Sequence, residues 1–123
     1  MHESLPNTID YVEMPSRNLA ETKRFFSALF GWTFQDYGPD YASFDDGRMA
    51  GGFFASEKTS NVESGAPLIV FYHRALEKIE KQVVELGGKI TKEIFEFPGG
   101  HRFHFGEPGG GEFAVWSDGL TDS

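Results

Sequence analysis

Few side chains in this 123-residue sequence could do chemistry, and they fall into small groups. Glu13 lies two residues after Tyr11, and His104 two residues after Arg102. At that spacing each pair shares one face of an extended strand. A carboxylate desolvated among aromatic rings has a raised pKa and can serve as general acid or base. The alternative role for Glu13 is structural, accepting hydrogen bonds from backbone or tyrosine and fixing the strand. His101 and His104 are three apart, so a strand turns them to opposite faces. His73 falls where a strand turns into a helix, and His2 lies at the frayed start of the chain. Scattered in this way, the four histidines read as surface or strand-end residues rather than as ligands of a metal ion. No cysteine is present, which excludes disulfides, thiolate metal sites and a cysteine nucleophile.

A second candidate is the turn Glu107-Pro108-Gly109-Gly110-Gly111-Glu112. A phosphate loop needs a Lys-Ser/Thr pair after its glycines and a helix whose N-terminus faces the anion. Neither follows here, and the two glutamates would repel phosphate. The run reads as a tight turn entering a final strand.

The elements that carry these residues show in the pattern of apolar positions. Residues 8–15 read as a strand closed by proline. Asn18, with Glu21 three residues on, resembles a capping box opening a helix. Leu19, Phe25, Phe26, Leu29 and Phe30 form its apolar stripe, and Gly31 is placed for a left-handed stop. Three short strands follow, around residues 32–38, 41–47 and 50–56, and residues 57–66 are a polar linker. The order then recurs: a strand at 67–73, a helix with Leu76, Ile79, Val83 and Leu86 on one face, and three more strands ending at Ser117. The helix stops at Leu29 and Leu86 set the halves 57 residues apart, so Tyr11 corresponds to Leu68.

The expected fold is therefore α+β, one domain of two βαβββ modules (about 8–56 and 67–117) whose open sheet faces form a concave cup. Alternation puts Tyr11 and Glu13 in the cup, with Leu68, Val70 and Tyr72 from the second module. Glu112, Ala114 and Trp116 of the last strand look inward, and Arg102 and His104 can join them. Thirteen phenylalanines must fill the core or line this cavity or an interface; of Phe53 and Phe54, one points inward and one outward. The net charge of −8, with no run of basic residues, argues against nucleic acid and anionic membrane as partners. No apolar run has the form of a signal peptide or a membrane span, so a cytoplasmic protein is the expectation.

This order of elements resembles the vicinal oxygen chelate superfamily, which contains glyoxalase I, bleomycin-resistance proteins and extradiol dioxygenases. The stretches that carry the resemblance are NLAETKRFFSALFGW, YASFDDGRMAGGF, LEKIEKQVVELGGKI and EPGGGEFAVW, and it extends from about residue 8 to residue 117. It implies a homodimer, as small members often pair modules across subunits to complete two cups. It also implies where metal ligands stand in the metalloenzymes of the family. Those positions hold Tyr11, Leu68 and Ala114 here, and residues 48–56 contain no Asp, Glu, His or Gln. A catalytic divalent ion needs hard nitrogen or oxygen ligands, so no metal or other cofactor is expected.

The leading expectation is a metal-independent protein that binds a small apolar or aromatic molecule in the cup, as bleomycin-resistance-type proteins do. Its ligand-binding residues would be Tyr11, Leu68, Tyr72, Arg102, Ala114 and Trp116. The alternative is an isomerase or lyase with Glu13 or His104 as acid/base on a carbonyl substrate. A third possibility is a scaffold whose cup mediates protein contacts.

Overall fold

A computed structural model describes residues 2–119. The elements run β1 (Tyr11–Ser16), α1 (Leu19–Phe30), β2 (Thr33–Asp36), β3 (Tyr41–Asp45) and β4 (Ala50–Ala55). They continue with β5 (Ile69–Tyr72), α2 (Leu76–Glu85), β6 (Lys89–Phe97), β7 (Gly100–Gly106) and β8 (Glu112–Ser117). The βαβββ order occurs twice and gives two four-stranded sheets, β1-β4-β3-β2 and β5-β8-β7-β6. In each, the first strand runs parallel to the last and the other pairings are antiparallel.

The ends of α1 follow from its sequence. The Asn18 side chain accepts the Glu21 N–H at 3.1 Å, and Gly31 closes the helix in the left-handed conformation with φ 75°. The capping box is only half made. The Asn18 N–H donates to Ser16 Oγ at 3.0 Å, while Glu21 pairs with Arg24.

The helices cover one side of both sheets and enclose a single aromatic core. Phe26 is its centre: it stacks on Trp32 with ring centroids 4.5 Å apart and on Phe53 at 5.8 Å. It also meets Phe71 and Phe113 of the second sheet edge-on, at 6.0 and 5.3 Å. A helix of the first repeat thereby seals the second sheet as well. Strand alternation holds as expected. Met14, Phe53, Phe103, Phe105, Phe113 and Val115 are buried in the core, while Tyr11, Phe54, Val70 and Tyr72 are exposed on the opposite faces.

Three details differ from the sequence reading. Residues 8–10 lie outside β1, because its partner in the sheet, β4, begins at Ala50 opposite Tyr11. Leu68 likewise lies one residue before β5. Leu86 is exposed rather than buried with Leu76, Ile79 and Val83, since α2 ends at Glu85 and Leu86 is its C-cap.

Candidate functional site

On the open face of the first sheet, Glu13 and Tyr11 are joined by Tyr41. The Tyr41 hydroxyl donates to Glu13 Oε2 at 2.9 Å, and the Tyr11 and Tyr41 hydroxyls are 2.6 Å apart. Because the single Tyr41 proton goes to the carboxylate, Tyr11 donates to Tyr41, which leaves the Tyr11 oxygen free to accept. Burial, then the hydrogen bonds with Tyr11 and Glu13, push the Tyr41 phenol well above its ordinary pKa. Glycine makes this contact possible. Strand β3 reaches β1 only across β4, where Gly52 pairs with both Glu13 and Ser43. A Cβ on Gly52 would overlap the Tyr41 hydroxyl.

The open face of the second sheet carries two cross-strand rows. Tyr72, Trp116, Arg102 and Phe95 are in register across β5, β8, β7 and β6; Val70, Ala114, His104 and Lys92 form the next row. Trp116 meets Tyr72 and Phe97 edge-on, with centroids at 5.1 and 6.2 Å. Arg102 donates through Nε and Nη2 to His104 Nε2, at 3.2 and 3.0 Å, so the imidazole proton is assigned to Nδ1. Burial, then the Arg102 charge, hold the His104 pKa below its ordinary 6.5. His104 is therefore neutral at neutral pH, with its basic nitrogen already occupied.

The positions implied for metal ligands do not suit a metal ion. Tyr11 offers only a phenol hydroxyl that keeps its proton on the bond to Tyr41, Leu68 is aliphatic, and Ala114 is fully buried between Val70 and His104 in register. Among the described residues, no three His, Asp or Glu side chains cluster to hold a metal ion. The remaining histidines are dispersed. His2 Nε2 lies 2.9 Å from Asp45, which gives the N-terminal arm an anchor that the sequence reading did not anticipate. His73 Nδ1 accepts the Ala75 N–H ahead of α2, and His101 Nδ1 is buried without a hydrogen-bond partner among the described residues.

The glycine turn contains its own anion. Glu107 is buried, and its carboxylate accepts the Gly109 N–H at 2.6 Å, the Gly111 N–H at 3.1 Å and the Thr22 hydroxyl at 2.8 Å. The amides that could have cradled a phosphate are filled from within the turn.

Tyr11 and Glu13 thus form one group with Tyr41; Tyr72, Arg102, His104, Ala114 and Trp116 form another. Among the described residues, no hydrogen bond or ring contact joins the two. A cleft of about 980 Å³ adjoins the first group, between the N-terminal arm and the strand ends, lined by Tyr11, Thr33, Gln35, Ser43, Asp45 and Val70. Tyr41 escaped the sequence reading because its partners lie on a strand two places away in the sheet. Lys92 escaped because strict alternation on β6 would not put it on the same face as Phe95.

Residues 8–115 match the model of the Glyoxalase/Bleomycin resistance protein/Dioxygenase superfamily. Among curated proteins none matches the chain. Solved structures match the fold over nearly the whole length. A glyoxalase/bleomycin resistance protein/dioxygenase family enzyme from Burkholderia phytofirmans superposes with a TM-score of 0.74 at 17% identity, covering 92% of this chain and 100% of that one. The fosfomycin resistance protein FosX from Listeria monocytogenes, complexed with Mn(II) and 1S,2S-dihydroxypropylphosphonic acid, gives 0.75 at 12% identity, covering 92% and 91%. A lactoylglutathione lyase from Agrobacterium tumefaciens gives 0.69 at 16% identity, covering 93% and 96%. At these identities the likeness is one of fold.

Proposed function

The chain belongs to the glyoxalase/bleomycin resistance protein/dioxygenase superfamily, and on that premise we propose that it binds a small apolar or aromatic molecule without a metal ion. The ligand lies on the sheet faces turned away from the helices. The observation that carries this reading is the chemistry of those faces. Tyr11, Tyr72 and Trp116 present aromatic surface there, and Leu68, Gly52 and Ala114 offer no donor to a divalent cation. Aromatic surface with a few convergent polar groups is the usual make-up of a small-molecule site. A homodimer fits the same reading, because a second copy would cover the exposed Val70 and Tyr72 and complete each cup.

The test is metal analysis of the purified protein, together with mass spectrometry of small molecules released on denaturation. A co-purifying aromatic compound at substoichiometric metal supports the reading. One equivalent of Zn, Ni, Mn or Fe bound on these faces would overturn it.

A second reading is favoured by the directed chain Tyr11→Tyr41→Glu13. A ligand hydroxyl donating to the Tyr11 oxygen would pass its proton along two phenols to the Glu13 carboxylate, which is general-base catalysis at a distance. This suits the isomerase or lyase alternative better than His104 does, since His104 must first release Arg102. Glu13→Gln discriminates: it abolishes turnover and leaves ligand affinity nearly unchanged if the proton is transferred. Normal turnover by that variant would remove the catalytic reading.

A further inference from the structure

The second sheet carries an imbalance of charge that the fold alone does not require. Strand β6 breaks register with β7 twice, between Ile90 and Lys92 and between Lys92 and Phe95. Lys92 and Phe95 are three apart and would lie on opposite faces of a regular strand. Because Lys92 pairs with His104 and Phe95 with Arg102, the irregularity turns both toward the open face. Bulges of this kind re-aim side chains and are over-represented beside functional sites.

Two cations consequently converge on one ring. Lys92 Nζ is 4.2 Å from the Phe95 centroid, and the Arg102 guanidinium carbon is 5.8 Å from it and 5.7 Å from that of Phe97. Among the described residues, neither cation has a carboxylate within ion-pair distance, although the chain carries a net charge of −8. The nearby acids are engaged elsewhere. Glu112 accepts the Val62 N–H at 2.9 Å and the Thr91 hydroxyl at 3.2 Å, and Asp118 accepts the Tyr72 hydroxyl at 2.9 Å. Arg102 uses only Nε and one Nη2 hydrogen on His104, which leaves the terminal Nη1/Nη2 edge able to grip a carboxylate with two parallel bonds.

We propose that the cluster of Lys92, Phe95, Arg102 and Trp116, drawn from two neighbouring rows, is the recognition site for an aromatic monocarboxylate, with the carboxylate on Arg102 and Lys92 and the ring against Phe97, Trp116 and Tyr72. This rests on the small-molecule reading above and names the ligand class. With the carboxylates of Glu112 and Asp118 close by, the two cations favour a single negative charge over the double charge of a phosphate monoester.

The experiment compares 2-naphthoate with its neutral isostere 2-naphthamide, titrated into the protein by calorimetry. The indole N–H of Trp116 is followed by NMR against that of buried Trp32. Naphthoate is expected to bind about tenfold more tightly than the amide and to move the Trp116 signal. Arg102→Gln should collapse that ratio to near one. Lys92→Gln, an exposed change that leaves the core untouched, should reduce it severalfold, and added salt should do the same. If both probes move Trp116 with equal affinity, the carboxylate assignment is overturned while the small-molecule reading stands. If neither probe perturbs any open-face residue, both are overturned.

Discussion

The Thr22 hydroxyl donates to Glu107 Oε1 at 2.8 Å, linking α1 to the turn before β8 across 85 residues of sequence. Ser16 Oγ lies 2.7 Å from the same Thr22 hydroxyl, and the Arg17 N–H donates to the Gly109 carbonyl at 2.9 Å. The two repeats are therefore joined by a buried polar network as well as by the aromatic core. Thr22→Ala would leave a buried carboxylate short of a donor, a loss of about 1–3 kcal/mol. Urea denaturation followed by tryptophan fluorescence measures it, and an unchanged midpoint would show that the link contributes nothing.

Glu107 gives this network a pH dependence. Burial raises its pKa above the ordinary 4.5, against the opposing pull of the Gly109, Thr22 and Gly111 hydrogen bonds. The folded state thus binds more protons than the unfolded one between the two pKa values, and stability falls as pH rises through that window. The contribution of this group is fully present below the unfolded pKa and is lost above the folded one. Melting temperature against pH should show the decline, and Glu107→Gln should flatten it at the cost of a lower plateau.

Gly52→Ala is expected to break the Tyr41–Glu13 contact, because the new methyl would overlap the Tyr41 hydroxyl. Overpacking of this kind costs about 1–3 kcal/mol where the neighbour cannot move aside. The companion observation is alkaline titration of the tyrosines by absorbance. Tyr41 should be the last to ionise in the parent protein, and Tyr41→Phe should delete that late step. A variant with an unaltered profile would contradict the geometry.

His104 should titrate below 6.5 in the folded protein, and Arg102→Gln should return it toward that value by removing a neighbouring positive charge. Since its folded pKa is depressed, the unfolded state binds more protons just below pH 6.5. Its contribution to stability is therefore present above 6.5 and is lost as pH falls from there through the lower folded pKa. The imidazole carbon-bound proton shifts report the titration directly. A His104 pKa above 6.5 would mean that neither burial nor the Arg102 guanidinium acts on the imidazole as the structure places them.

Phe26→Ala should be the most damaging single truncation. The side chain is fully buried and touches rings from both sheets. Truncating a buried Phe costs about 3–5 kcal/mol, and here both repeats lose packing at once. Chemical denaturation should show one cooperative transition shifted to lower urea. Two separated transitions would indicate that the repeats unfold independently.

What the sequence determined by itself was everything local. Asn18 and Gly31 bound the first helix through their own side-chain and backbone chemistry. Strand alternation fixed that Tyr11, Glu13, Val70, Tyr72, Ala114 and Trp116 share the sheet faces turned away from the helices, since a period of two admits only two faces. The recurrence of elements identified the βαβββ pair. What the tertiary structure decided was which of those residues meet. Tyr41 reaches Glu13 only because β3 lies across β4 and Gly52 leaves the space open. Lys92 joins Arg102 only because β6 slips register. Glu107, expected merely to flank a turn, is buried because Thr22 arrives from the other repeat. Each of these contacts depends on strand order, register or repeat packing, and none of those quantities is encoded in the spacing of residues along one segment.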